Sequence, residues 1–354
     1  MSTVRPVPTY EQSSDGAADR VTTGPVPVEG LMSAIVQTGY GTDEVLQLDQ
    51  VARPQIADNE VLVEVKAAGL DRGTWHMMAG RPYLMRVIGF GLSRPKNPVP
   101  GIDVAGVVAV VGSSVTRFRI GDEVFGIAKG SFAQHAAALE DKLALKPKSL
   151  TFEQAAVVPV SAITALQGLT DVGHLQSGQR VLVIGASGGV GSYAVQIAKA
   201  MGAAVTGVAS TAKLDLVRSL GADHVVDYTR EDYADGTQAY DLVLDIGGNP
   251  PLSRLRAALA PCGTAVIVGG EQGGNVTGGF GRSLRAPLVS LFVKQRLAML
   301  TTKERGSDLE RLTTMLEAGT VKPSIDRTYP LAQVPAAMRH LVAGHVRGKV
   351  AITL

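Results

Sequence analysis

Residues 180–199 read Arg180-Val-Leu-Val-Ile-Gly-Ala-Ser-Gly-Gly-Val-Gly-Ser-Tyr-Ala-Val-Gln-Ile-Ala-Lys199: a short apolar run, a glycine-rich turn and a helix-length stretch in immediate succession. A turn that feeds a strand into a helix leaves the first N–H groups of the helix unpaired, at the end where its dipole favours negative charge. Gly188 has no side chain to keep a pyrophosphate from the backbone, and Gly191 lets the helix pack closely on the strand. Ala186, Ser187, Gly188, Gly189, Val190 and Gly191 therefore form a candidate dinucleotide-phosphate cradle, with Ala186 standing where the G-x-G-x-x-G fingerprint has its first glycine. Further apolar runs follow at 204–208, 224–226, 241–245 and 264–268, separated by helix-length segments. Strands alternating with helices predict a parallel, doubly wound sheet. A glycine turn that merely packs an α/β unit would explain that sheet, but not glycines clustered where a phosphate sits.

The chain has 354 residues, 45% hydrophobic and 19% charged, enough for about two domains with full cores. A net charge of +2, with basic residues scattered, gives no electrostatic case for nucleic acid or a membrane surface. Cys262 is the single cysteine, which excludes an intrachain disulfide and a thiolate framework for structural zinc and predicts a reducing, cytoplasmic setting. No run is long enough to span a bilayer, and the first residues lack the layout of a secretory signal.

Residues 1–30, rich in Pro, Ser, Thr, Gly and Asp, predict a flexible tail. From 31 to 157 the pattern alternates in the β manner, as in Glu60-Val-Leu-Val-Glu-Val-Lys66, and predicts an antiparallel, barrel-like catalytic domain. The doubly wound domain is expected over 158–295. The first domain is completed by 296–354, where a helix at 331–343 precedes a strand at 350–354.

Three motifs carry a resemblance: Ala67-Ala-Gly-Leu-Asp71, Pro100-Gly-Ile-Asp-Val-Ala-Gly-Val-Val108 and Gly121-Asp-Glu-Val-Phe-Gly126, in that order before the glycine turn. From about Leu31 onward the chain resembles the medium-chain dehydrogenase/reductase superfamily, in its zinc-free quinone oxidoreductase branch. The resemblance implies an α/β protein with a GroES-like β-barrel catalytic domain, a Rossmann domain, an active-site cleft between them and a homodimer, with the apolar run 287–293 near the dimer contact. Zinc-dependent relatives carry Cys in place of Asp71 and Gly-His-Glu in place of Gly101-Ile102-Asp103. Ile102 cannot ligate a metal, and a catalytic zinc needs three protein donors, so no metal is expected. Asp71, His76 and Asp103 offer at most a makeshift metal site and read instead as hydrogen-bonding or solvent-facing residues.

NAD-selective sites place an acid at the end of the second strand, about twenty residues past the glycines. Here that end reads Val208-Ala-Ser-Thr-Ala-Lys213, without a carboxylate and with two hydroxyls and an ammonium, which favours NADPH. The resemblance assigns Ser210, Lys213 and Tyr228 to the 2′-phosphate. It assigns Thr164, Asn249, Gly270 and the Gly348-Lys349-Val350 segment to the nicotinamide and ribose side.

Without a Lewis acid, the easier hydride acceptors are quinones and α,β-unsaturated carbonyls, whose conjugation spreads the new charge onto oxygen. Asp71, His76 and Tyr83 are the candidates for the accompanying polar work. His76 reads either as proton donor or as a ring packed with Trp75. The branch commonly has Asn at the place of Asp71 and Asp at that of Thr74, so its hydrogen-bond pattern does not transfer. Residues 81–92 read as a hydrophobic lid or as a helix on the barrel. Two further readings stand beside the NADPH-dependent quinone or enone reductase: a trans-2-enoyl thioester reductase and a non-catalytic NADPH-binding or sensing protein.

Overall fold

A hairpin of β1 (Leu31–Gln37) and β2 (Leu46–Ala52) begins a computed structural model that describes residues 30–270 and 274–354. The predicted flexible tail, apart from Gly30, lies outside the described residues. β3 (Glu60–Leu70) follows and buries both faces along most of its length. Asp71 ends it by capping α1 (Arg72–Ala79): its Oδ1 accepts the Thr74 N–H at 2.8 Å. α1 stops at Gly80, whose φ of +57° is left-handed.

β4 (Asp103–Val111), β5 (Glu123–Ile127), β6 (His135–Leu139) and β7 (Leu143–Leu145) complete the first run of strands. β3 pairs antiparallel with β4 along one edge and with β6 along the first part of the other. Next come α2 (Phe152–Ala156), opened by a Thr151–Gln154 capping box, and α3 (Pro159–Gln167), with Pro in its first turn.

The second layer opens with β8 (Arg180–Ile184), α4 (Gly189–Ala200), β9 (Ala204–Ala209), α5 (Leu214–Ser219) and β10 (His224–Asp227). It continues through β11 (Tyr240–Asp245), α6 (Leu252–Ala258), β12 (Leu259–Ile267), α7 (Phe280–Ser290) and β13 (Arg296–Met299). The strands lie in the order β10-β9-β8-β11-β12-β13, all parallel. That is the doubly wound dinucleotide-binding order, whose direction reverses between β8 and β11 and leaves a crevice beyond their carboxyl ends. Val181 and Val183 pack into one cluster and Leu182 and Ile184 into another, so helices cover both faces and the strands read as continuous apolar runs.

α8 (Gly306–Glu317), β14 (Ile325–Pro330), α9 (Val334–Val342) and β15 (Lys349–Thr353) close the chain. β15 pairs antiparallel with the end of β3, so the last strand rejoins the first sheet as expected. One element differs from the sequence reading. β13, which begins at Arg296, extends the parallel sheet rather than completing the barrel. Its flank Lys294-Gln-Arg296 is polar because the strand lies at the sheet edge, and that polarity hides it from a hydrophobic pattern.

Candidate cofactor site and acceptor cavity

The crevice beyond β8 is built by the glycine turn. Gly185 adopts a φ of +84°, and Gly188 caps α4 with extended backbone and no side-chain cap, which leaves the first N–H groups of the helix without an internal partner. A Cβ on Gly191 would lie 2.1 Å from the Gly185 carbonyl oxygen and 2.7 Å from Ala186 Cα, so the helix start is seated directly on the strand. A Cβ on Gly188 would meet only the Gly185 oxygen, at 3.5 Å. The space in front of Gly188 fits an anion. Ala186 is fully buried beneath Gly207, so its methyl points into the core and leaves that space clear. The Ser187 carbonyl accepts the Gly348 N–H at 2.8 Å, which ties the turn to the chain just before β15.

Beyond β9 lie Ser210, Lys213 and Tyr228, the last 57% exposed. Lys213 Nζ donates to the carbonyls of Gly344 at 2.7 Å and Val346 at 2.9 Å, and burial lowers its pKa. Its ammonium thus holds the 344–346 loop against the end of β9. That loop delivers Arg347, which the sequence reading missed: its guanidinium reaches the Ala212 carbonyl at 2.8 Å and Asp215 Oδ2 at 2.6 Å. A cation remote in sequence is visible only once β15 has returned. The Asp227 carboxylate at the end of β10 is bonded by Thr211 and Thr229, which lower its pKa.

The structure corrects the reading of Lys349. Its side chain is only 1% exposed, and Nζ lies 3.2 Å from Asp103 Oδ2 and 3.0 Å from Ser161 Oγ. A buried ammonium in an ion pair is not available to a bound ligand. Asp103 Oδ1 accepts the Val160 N–H at 2.9 Å, and burial pushes the Asp103 carboxyl up to about 7 against the pull of Lys349, with the charge of Asp71 acting in the same direction as burial. Thr164 donates from Oγ1 to the Val160 carbonyl at 2.6 Å and lies 3.4 Å from Thr302 Oγ1. Asn249 is exposed past β11, and Gly270 abuts Gly279, where a Cβ would come within 2.4 Å of Cα.

A second buried pair braces the crevice. Arg282 Nη1 lies 2.6 Å from Asp245 Oδ2 and donates to the Pro250 carbonyl, while Nη2 donates to the Gly269 carbonyl. Burial pushes Asp245 up to about 7 against the pull of Arg282. Both Asp103 and Asp245 hold their protons more tightly folded than unfolded. Their contribution to stability is complete at pH below about 4 and is lost as pH rises through about 7. The thermal midpoint is therefore expected to fall between pH 5 and pH 8, and Asp245→Asn to flatten that slope. A midpoint that climbs over the interval would contradict this balance of burial and pairing.

Asp71 caps α1, His76 lies on it, and Tyr83 follows the turn after it. Asp71 is buried, with Oδ1 accepting from Thr74 and Oδ2 without a hydrogen-bond partner. His76 packs edge-on to Trp75 at 4.8 Å, and its Nδ1 lies 2.8 Å from the Arg81 carbonyl. Tyr83 is exposed and stacks on the Arg86 guanidinium, which also covers Tyr40. Residues 84–90 of the 81–92 segment are helical and widen into a π turn at Arg86–Phe90, and Gly91 ends the turn with a φ of +108°. The segment walls a cavity of about 300 Å³ with Met77, Phe90, Val99, Ile102 and Ile127 among its lining and the Lys142–Glu304 ion pair at its edge. The segment is pinned from the far side, since the N–H groups of Tyr83 and Leu84 donate to the carbonyls of Asn275 and Val276 at 2.9 and 3.1 Å. Among the described residues, no three His, Cys, Asp or Glu side chains gather as a metal site would require. None of the described helices is long and apolar enough to cross a membrane.

Residues 57–214 match the family described as Alcohol dehydrogenase GroES-like domain, and residues 220–352 that described as Zinc-binding dehydrogenase. The chain is 35% identical over 366 residues to 2-methylene-furan-3-one reductase of Solanum lycopersicum, covering 99% of this chain and 86% of the relative. It is 35% identical over 356 residues to the chloroplastic NADPH-dependent alkenal/one oxidoreductase of Arabidopsis thaliana, covering 96% and 84%. Among solved structures, the Escherichia coli quinone oxidoreductase complexed with NADPH superposes with a TM-score of 0.78 at 26% identity, covering 91% of this chain and 100% of that one. The expectation of a cytoplasmic setting is overturned by such relatives: the Arabidopsis protein is chloroplastic, and a mouse NAD(P)H oxidoreductase 32% identical to this chain is mitochondrial. A lone cysteine excludes an intrachain disulfide, and that does not single out the cytoplasm. The strand order, the glycine turn and these matches together place the chain: it belongs to the medium-chain dehydrogenase/reductase superfamily, in the quinone oxidoreductase branch.

Proposed function

We propose that this chain is an NADPH-dependent oxidoreductase that delivers hydride to a quinone or an α,β-unsaturated carbonyl without the aid of zinc. The observation that carries the reading is the open helix start at Gly188, with the Lys213 and Arg347 cations at the end of the next strand. The names of the tomato, Arabidopsis and Escherichia coli relatives support the same cofactor and acceptor classes. When bound, the reduced nicotinamide supplies the hydride. The backbone of 186–191 receives the pyrophosphate, and Ser210, Lys213, Tyr228 and Arg347 receive the 2′-phosphate. Thr164, Asn249, Gly270 and Gly348 border the ribose and nicotinamide side.

The largely apolar lining of the cavity beside Ile102 suits a nonpolar conjugated carbonyl. Because the Arg81 carbonyl can only accept, His76 carries hydrogen on Nδ1, and it donates a proton from Nε2 only as the imidazolium. Asp71 and Tyr83 complete the polar set around α1. Ile102 at the place of a zinc-ligating residue supports metal-free chemistry. We divide the chain into a catalytic unit built on the barrel sheet and a cofactor unit built on the parallel sheet. β13 is the outer strand of the parallel sheet, and exposed Leu284, Leu288, Leu291 and Phe292 lie on or just after α7; an unpaired edge beside exposed apolar residues supports a homodimer.

The test is cofactor oxidation over a panel of quinones, enones and enoyl thioesters. Consumption of NADPH with quinones or enones, unaffected by chelation, is expected. His76→Ala should lower kcat about tenfold, less than a positioned acid usually contributes because water reaches the half-buried ring. Turnover confined to the thioesters would move the assignment to an enoyl thioester reductase. Binding of NADPH without turnover of any acceptor would make this a sensor, and loss of activity on chelation would end the zinc-free reading.

A further inference from the structure

We propose that the buried Lys349–Asp103 pair is a positioning device for the cofactor cradle, setting where the turn before α4 stands and hence how tightly the dinucleotide binds. The inference rests on the NADPH reading above. Its basis is the path of one side chain. Lys349 begins β15 in the barrel sheet, yet its stem runs beneath the first residue of α4: a Cβ on Gly189 would lie 3.0 Å from Lys349 Cδ and 3.2 Å from Ser161 Oγ. The lysine methylenes and the serine hydroxyl therefore form the floor under one of the cradle's free N–H groups. The neighbouring Gly348 donates its N–H to the Ser187 carbonyl at 2.8 Å, so two consecutive residues grip the turn on either side of Gly188.

The far end of the lysine is fixed just as firmly. Asp103 starts β4 and is fully buried, and its second oxygen takes the Val160 N–H of α3. Gly69 of β3 approaches so closely that a Cβ there would lie 2.8 Å from Asp103 Oδ2. The carboxylate thus has one place to stand, and the ammonium follows it. Above about pH 7, where Asp103 is ionised, the pair is neutral as a whole and acts on a phosphate by placing the backbone and not by adding charge. A buried ion pair is an uneconomical way to gain stability, since apolar residues of similar volume commonly do as well. What it supplies here is a fixed distance between a barrel strand and the dinucleotide turn.

The test compares Lys349→Met, Asp103→Leu and the double variant with the unaltered chain. Three quantities are measured: NADPH affinity by calorimetry, thermal midpoint, and hydrogen exchange of the 185–192 amides in ligand-free protein. Measured above about pH 7, where Asp103 is ionised in the unaltered chain, each single variant removes one partner of the pair and should lose thermal stability, whereas the double variant should recover it. In the double variant NADPH should still bind at least about tenfold more weakly, roughly the effect of one displaced hydrogen bond to a charged group, and the 185–192 amides should exchange faster. A double variant with unaltered affinity and unaltered exchange would reduce the pair to packing and overturn the proposal. If the unaltered chain binds no NADPH, the functional reading fails by itself, and the exchange measurement still judges the positioning role.

Discussion

Gly188→Asp is expected to abolish NADPH binding while leaving the protein as stable as before or slightly more so. The two effects separate because they act on different properties of one position. Gly188 has φ −86° and ψ −179°, which any residue adopts, and its Cβ direction is open apart from one oxygen at 3.5 Å. It caps α4 without a side-chain bond, and an aspartate at that place would supply one, worth about a few tenths of a kcal/mol relative to glycine. The same carboxylate would occupy the anion site with the wrong charge. It removes two or three charge-assisted bonds from the pyrophosphate at about 1.5–3 kcal/mol each, which amounts to roughly a 1000-fold loss of affinity. Calorimetry and a thermal melt on the same sample check both signs. Tight NADPH binding by the variant would mean that the pyrophosphate lies elsewhere.

Arg347→Glu should produce the second large effect, and a selective one. The guanidinium sits beside Ala212 and Asp215, where the second strand of the parallel sheet ends and a 2′-phosphate is expected. Reversing its charge removes one charge-assisted bond and adds a repulsion of similar size, about 100-fold in NADPH affinity. NADH carries no 2′-phosphate and should bind as before. The decisive quantity is the ratio of kcat/KM for the two cofactors, which should fall by the same factor. Parallel losses for both would relocate Arg347 from cofactor selection to the general integrity of the 344–347 loop.

The parallel sheet was legible because a strand buried on both faces writes an uninterrupted apolar run, as Val181 to Ile184 and Leu242 to Leu244 do. β13 was not, since an edge strand carries polar residues in the pattern of a loop. The cradle could be read because it is local: one turn, one helix start, two glycines with distinct duties. What sequence reasoning missed is non-local. Arg347, and the pairing of the named Lys349 with Asp103, join residues far apart along the chain, and only the pairing of β15 with β3 brings one to the end of β9 and buries the other under Gly189. The polar candidates around Asp71 were found as a group because α1 carries them. His76 is tied to the Arg81 carbonyl and the carboxyl of Asp71 faces the charge of Asp103, and a spacing rule identifies neither.

The backbone bonds from Tyr83 and Leu84 to Asn275 and Val276 fasten the cavity's outer wall to the loop that precedes α7. That wall belongs to one half of the molecule by sequence and is stitched to the other by its amides. Any swing that widens the crevice must either shear both stitches or drag the wall along with it.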